Sequence, residues 1–187
     1  MERLRTFIAI ELPATIREEL CGLQEQLRSP GLSAKWVFRD NIHLTLKFLG
    51  PVESGRLPAI NSALEESLAD EKTFSFNLEG LGVFPSLSRP RVVWVGIDEG
   101  KDELKRIAGK IEDALASIGF PKEERRFSAH ITLSRVKREA QPGKLREKIE
   151  GLDYSSGPIT VSRIVTMKSN LTPEGPIYTR LGEVKLG

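Results

Sequence analysis

The chain has 187 residues, enough for one domain or two small lobes, and a domain of about 150 residues removes roughly 68–70% of its unfolded surface from water. Lys and Arg total 28 against 26 Asp and Glu, a formal charge of +2, which excludes a uniformly basic nucleic-acid binder; a polyanionic partner has to meet locally gathered cations. A lone cysteine, Cys21, and only two histidines, His43 and His130, exclude an internal disulfide and a Cys/His zinc cage.

In chain order, Thr6–Leu12 is a short β-branched run closed by Pro13 and reads as a buried strand. Ile16, Leu20, Leu23 and Leu27 recur at helical spacing and stop at Pro30-Gly31. Trp36–Phe38 and His43–Leu49 read as strands about the turn-forming Asp40-Asn41, and Leu57, Ile60, Leu64 and Leu68 mark a second helix. Phe74–Leu78 and Val92–Ile97 read as strands, with Phe84–Pro90 a loop by its two prolines. Leu104, Ile107, Ile111, Leu115 and Ile118 predict a third helix, His130–Val136 a strand, and Lys137–Gly151 a charged helical segment. Ile159–Met167 and Ile177–Leu181 close the chain as strands. Few of these strands are joined by a single crossover helix, so the order favours α+β with antiparallel sheets over a doubly wound parallel sheet. No apolar run reaches the about 18 residues of a membrane-spanning helix. The early run Phe7–Ile10 is broken by Glu11, so no signal peptide is expected and the expected setting is cytoplasmic.

Both histidines sit in matching tetrapeptides, His43-Leu44-Thr45-Leu46 and His130-Ile131-Thr132-Leu133, 87 residues apart. On a strand, residues two apart share a face, so each His lies with its own Thr while Leu44, Leu46, Ile131 and Leu133 face a core. A spacing of nearly half the chain suits a bilobal fold of two similar halves, with two imidazoles and two hydroxyls converging on one cleft. Such a set serves proton transfer at a phosphodiester. One neutral imidazole takes a proton from water and a protonated one gives a proton to the leaving oxygen. The Thr hydroxyls donate to nonbridging phosphate oxygens, and no metal is required.

The paired tetrapeptides resemble the twin H-x-T-x signature of the 2H phosphoesterases. Arg5–Ile10, Trp36-Val37, Asn41–Gly50, Arg89–Gly96 and Leu171–Tyr178 extend the resemblance to the bacterial and archaeal RNA 2′,3′-cyclic phosphodiesterases, also called 2′-5′ RNA ligases. The resemblance covers nearly the whole chain. It implies one bilobal domain over residues 1–187, in which two antiparallel sheets flank a central cleft, helices lie outside and the halves are related by a pseudo-twofold. It also implies hydrolysis of RNA 2′,3′-cyclic phosphate ends to 2′-phosphates without metal or other cofactor, with reversible 2′-5′ ligation of RNA ends by the same kind of chemistry. By the same resemblance His43 and His130 are the acid and base, and Thr45 and Thr132 hold the phosphate. The sequence does not settle which histidine protonates the departing oxygen; His43 is taken as acid and His130 as base.

Phe48 and Arg135 stand where that family uses an aromatic and a basic residue near the nucleotide, although strict alternation puts both on the strand face opposite the histidines. Lys47 and Ser134 have the parity of the cleft face. The cations Arg89, Arg91, Lys122, Arg125, Arg126, Arg135, Lys137 and Arg138 offer a path for RNA or a solvated surface. Trp36, Trp94 and Phe84 are expected as packing residues, Cys21 as a small buried hydrophobe, and Tyr178 has no assigned role. The expected partner is RNA with a cyclic-phosphate end, with no membrane, and the expected state is a monomer. Two alternatives stand beside this: a phosphodiesterase of small cyclic phosphates or 2′-5′ oligonucleotides, and a non-catalytic RNA-end binding module.

Overall fold

A computed structural model describes residues 2–139 and 143–187. The elements in order are β1 (Arg3–Glu11), α1 (Ala14–Leu27), β2 (Leu32–Trp36), β3 (His43–Glu53), α2 (Leu57–Ser67), β4 (Phe74–Phe76), β5 (Leu78–Phe84), β6 (Val92–Ile97), α3 (Lys101–Ser117), β7 (Ile131–Glu139), α4 (Lys144–Gly151), β8 (Ile159–Val161), β9 (Arg163–Leu171) and β10 (Pro176–Lys185). The expected strand at 74–78 is the short β4 and the start of β5, and the expected strand 159–167 divides into β8 and β9. Of the segment expected to be helical at 137–151, the first residues extend β7 and Lys144–Gly151 form α4; residues 140–142 lie outside the described residues.

The fold is α+β. Eight antiparallel strands run in the order β10-β9-β1-β3-β7-β6-β5, with β2 also paired to β7, and β4-β8 make a separate ribbon. The large sheet divides into two four-stranded arrays that join through one residue pair, Leu44↔Ile131, between β3 and β7. The first lobe is β10-β9-β1-β3 and the second β2-β7-β6-β5.

The lobes are not the two halves of the sequence. The β2 and β5 strands come from the first half yet complete the second lobe, on β7 and β6. In return β9 and β10 come from the second half and complete the first lobe, on β1. The helix-facing side of the sheet holds the main core. Ile8, Ile10, Leu44, Ile131 and Leu133 of the strands pack there with Leu20, Leu27, Ile60, Leu64, Leu104, Ile107 and Ile111 of the helices. Helical positions three and four apart deliver those side chains to one face, as their spacing requires. The opposite side of the first lobe carries a smaller apolar set, Phe7, Ala9, Val165 and Met167, under Tyr178.

Candidate active site

Two β-bulges decide what faces the cleft. Along β3 and β1, Ala9 pairs with Thr45 but Ile8 pairs with Lys47, so Leu46 is an extra residue in the ladder. Along β7 and β6, Trp94 pairs with Thr132 but Val93 pairs with Ser134, which leaves Leu133 as the extra residue. A bulge resets the alternation of side chains beyond it. Each therefore falls one residue after its His-x-Thr, at equivalent positions in the two halves. Phe48 and Arg135 consequently share the face of the histidines, and both are exposed there. Lys47 and Ser134, expected on the cleft face, are instead turned into the core and buried.

Each buried group meets a different fate. Lys47 is fully buried, and its Nζ donates to Glu112 Oε1 of α3 at 2.7 Å and to the Pro121 carbonyl at 3.0 Å. It thereby ties the strand of the first motif to the segment that leads into the second. Ser134 Oγ is buried with no hydrogen-bond partner among the described residues. The Leu133 bulge is held by its own carbonyl, which accepts from the Val37 amide at 2.9 Å and from the buried Gln24 Nε2 at 3.0 Å.

The two histidines are set in the same way. His43 Nδ1 donates to the Asn41 carbonyl at 2.7 Å, and His130 Nδ1 donates to the Ser128 carbonyl at 2.7 Å. A carbonyl only accepts, so in both rings the proton sits on Nδ1 and Nε2 keeps its lone pair in the neutral form. The Leu44↔Ile131 pair points both apolar side chains into the core. Its flanking residues, His43 with Thr45 and His130 with Thr132, occupy the opposite face of the sheet. The antiparallel register sets His43 beside Thr132 and Thr45 beside His130.

The surroundings differ between the two rings. His43 Nε2 and Thr45 Oγ1 are hydrogen-bonded at 2.8 Å. Its ring centroid lies 4.9 Å from Phe7 and 5.3 Å from Tyr178, which meets it edge-on. This enclosure drives the His43 pKa below its ordinary value; burial disfavours the imidazolium, and the Asn41 carbonyl opposes the shift only in part. His130 is flanked edge-on by Phe84 at 5.1 Å and by Trp94 at 6.3 Å, and among the described residues the Thr132 hydroxyl has no hydrogen-bond partner. Tyr178 arrives from the start of β10, which the Asn41 side chain holds by a 2.6 Å bond to the Pro176 carbonyl. Burial raises the Tyr178 pKa, while the nearby charges of Arg135 and Arg5 lower it.

All six candidate side chains, His43, His130, Thr45, Thr132, Phe48 and Arg135, thus stand on one face about the lobe junction. The rings of Phe7, Tyr178, Phe84 and Trp94 line it too, and their part could not be read from the sequence because they come from four other strands. The alternating pattern of β1 was the one usable signal, since it sets Phe7 and Ala9 on the same face. Trp94 and Phe84 do pack, as expected, and they pack against His130. Trp36 lies against the core with Arg28 stacked 4.9 Å from its ring, and Cys21 is half-buried beside α1's apolar stripe. Arg125 and Arg126 are exposed on the segment before β7, Arg89 and Arg91 on the β5–β6 loop.

Duplicated His-x-Thr strands about a pseudo-twofold define a 2H-type phosphoesterase. The sequence profile of the LigT-like phosphoesterases matches this chain twice, over residues 10–94 and 95–178, and the chain belongs to that family. It is 37% identical over 180 residues to the RNA 2′,3′-cyclic phosphodiesterase of Thermotoga maritima, covering 96% of this chain and 94% of the other. It is 40% identical over 167 residues to the enzyme of the same name from Aeropyrum pernix, covering 89% and 94%. Among solved structures, E. coli LigT complexed with 3′-AMP superposes with a TM-score of 0.79 at 29% identity, covering 99% of each chain.

Proposed function

We propose that this chain hydrolyses RNA 2′,3′-cyclic phosphate ends to 2′-phosphates, by acid–base catalysis between His43 and His130 and without a metal. The observation that carries the reading is the matched anchoring of the two imidazoles, each held at Nδ1 by a backbone carbonyl so that Nε2 serves the proton transfers; in His43 it accepts from the Thr45 hydroxyl, a bond released when the ring is protonated. Water attacks phosphorus and gives its proton to His130 Nε2. The P–O3′ bond breaks, and the 3′-oxygen takes the proton of His43 Nε2. The product carries a 2′-phosphate and a free 3′-hydroxyl, and solvent exchange returns the proton from His130 to His43. Thr45 and Thr132 donate to the nonbridging oxygens as their charge grows. Phe48 stacks on a base and Arg135 pairs with phosphate. With the 5′-hydroxyl of a second RNA attacking in place of water, the same sequence of proton transfers joins the ends by a 2′-5′ bond, and its reverse cleaves that bond.

Burial at His43 makes its imidazolium a stronger acid than free imidazolium, which favours proton delivery to a departing alkoxide. The negative charge of the bound cyclic phosphate keeps it protonated until transfer. The two sequence halves act as one catalytic domain over residues 1–187, because neither lobe is complete without strands from both, and one chain supplies both motifs, so a monomer suffices.

The test is an RNA oligonucleotide ending in 2′,3′-cyclic phosphate, incubated with and without chelator. Chelator-resistant formation of a 2′-phosphate is expected, and His43→Ala and His130→Ala should each lower turnover by at least about 10², the usual worth of one acid or base. A 3′-phosphate product, or full activity in either variant, contradicts the reading. A phosphodiester with a p-nitrophenolate leaving group, which departs unprotonated, should recover turnover in His43→Ala but not in His130→Ala; the opposite pattern exchanges the two roles.

A further inference from the structure

Beside Tyr178 and Arg135 stand two cations, Arg5 and Lys35, that the two-histidine chemistry does not use. The phenol is hydrogen-bonded to nothing among the described residues. Tyr178 pairs with Ser169. One residue past the Thr6↔Lys168 pair, Arg5 falls level with Ser169, on the face of β1 that also carries Phe7. Arg135, from the other lobe, reaches the same cleft face through the Leu133 bulge, and Lys35 lies directly across from it on β2. Arg5, Lys35 and Arg135 are all exposed, and none makes an ion pair among the described residues. By contrast Arg17, Arg39 and Arg180 in the same region are each held by carboxylates.

We propose that Arg5 and Tyr178 of the first lobe, with Arg135 and its neighbour Lys35 of the second, form a second anion site that holds the phosphodiester on the 5′ side of the terminal nucleotide. The electrostatic influence of both guanidinium groups on the Tyr178 phenol is consistent with this convergence. The Tyr178 ring lies 5.3 Å from the His43 ring, centroid to centroid, so the site adjoins the reacting centre, within reach of the next phosphate of a strand. A phosphodiester oxygen there accepts from the phenol and from paired guanidinium N–H groups. The inference rests on the proposed function and names the residues that select an RNA end over a cyclic mononucleotide.

Two dinucleotide substrates with 2′,3′-cyclic phosphate ends test it, one with a normal internal phosphodiester and one with a neutral methylphosphonate of the same length. The wild type should prefer the charged linkage about tenfold in kcat/KM, the worth of a charge-assisted hydrogen bond. Arg5→Gln should reduce that preference at least about threefold while leaving turnover of the neutral substrate unchanged. A wild type indifferent to the linkage, or a preference preserved in R5Q, overturns the second site. Equal losses on both substrates in R5Q also overturn it, since Arg5 would then act through the fold. If neither substrate is turned over by the wild type, the proposed function itself fails and this inference falls with it.

Discussion

At the scale of single residues, His43 is distinguished by its half-buried setting among aromatic rings. In the folded chain its pKa lies below the ordinary value because desolvation by the rings around it outweighs the carbonyl bond that favours the cation. In the unfolded chain it titrates near about 6.5. The unfolded state therefore binds more protons just below that pH, and the stability owed to a buried neutral imidazole is present above it and lost as pH falls through the folded-state value. Urea unfolding of the wild type and His43→Gln at pH 8, 7, 6 and 5 should show any wild-type advantage shrinking toward pH 5. An advantage that grows on acidification contradicts a neutral His43. Lys47 makes the complementary point: a cation on an open cleft face is a binding candidate, but the same cation beyond a bulge is a core tether to Glu112 and Pro121. Its sequence neighbourhood does not distinguish the two, because the one-residue insertion at Leu46 is a property of the pairing with β1.

Elements carry the next level of constraint, and β5 shows it best. Its sequence, Leu78-Glu-Gly-Leu-Gly-Val-Phe84, reads weakly as a strand because two glycines interrupt it. The pairing with β6 explains both. Gly80 has φ of +70° at the register shift between Glu79 and Leu81, and Gly82 lies under the indole of Trp94, where a Cβ would come within 2.2 Å of the ring. Gly82→Ala should therefore push Trp94 toward His130, destabilise the fold by about 1–3 kcal/mol as overpacking does, and lower turnover of a cyclic-phosphate end. Thermal unfolding and a turnover assay check both; unchanged values in the two would mean that the indole has room to move. Helices α1, α2 and α3 were legible, since Ile16–Leu27, Leu57–Leu68 and Leu104–Ile118 show the 3.6-residue period in full. The strands beside the cleft were legible as strands but not in their facing. Phe48 and Arg135 lie beyond bulges, and a bulge is visible only once the partner strand is known. The histidines and threonines lie before the bulges, where simple alternation still holds, and so their common face could be read directly.

For the whole molecule the exchange of strands between halves dominates. Cutting the chain in the β5–β6 loop, between Leu87 and Ser88, leaves a first fragment that holds β1 and β3 without β9 and β10, and a second that holds β6 and β7 without β2 and β5. Each fragment should be largely unfolded alone by circular dichroism, and the mixture should regain both structure and turnover. A fragment that folds stably by itself would contradict the dependence of each lobe on the other half.

The same exchange has a bearing on the order in which the protein is made. All strands of the second lobe, β2, β5, β6 and β7, exist once synthesis has passed Glu139, whereas the first lobe waits for β10 to end at Lys185. The histidine that leaves the ribosome first is thus the last to be enclosed. Its strand β3 has β1 beside it early, but the outer strands and Tyr178, which crowd its imidazole, arrive more than a hundred residues later. Contacts of such long sequence separation form slowly. The later-encoded motif is therefore housed first, and the nascent chain carries a complete second lobe before it has a working pair of imidazoles.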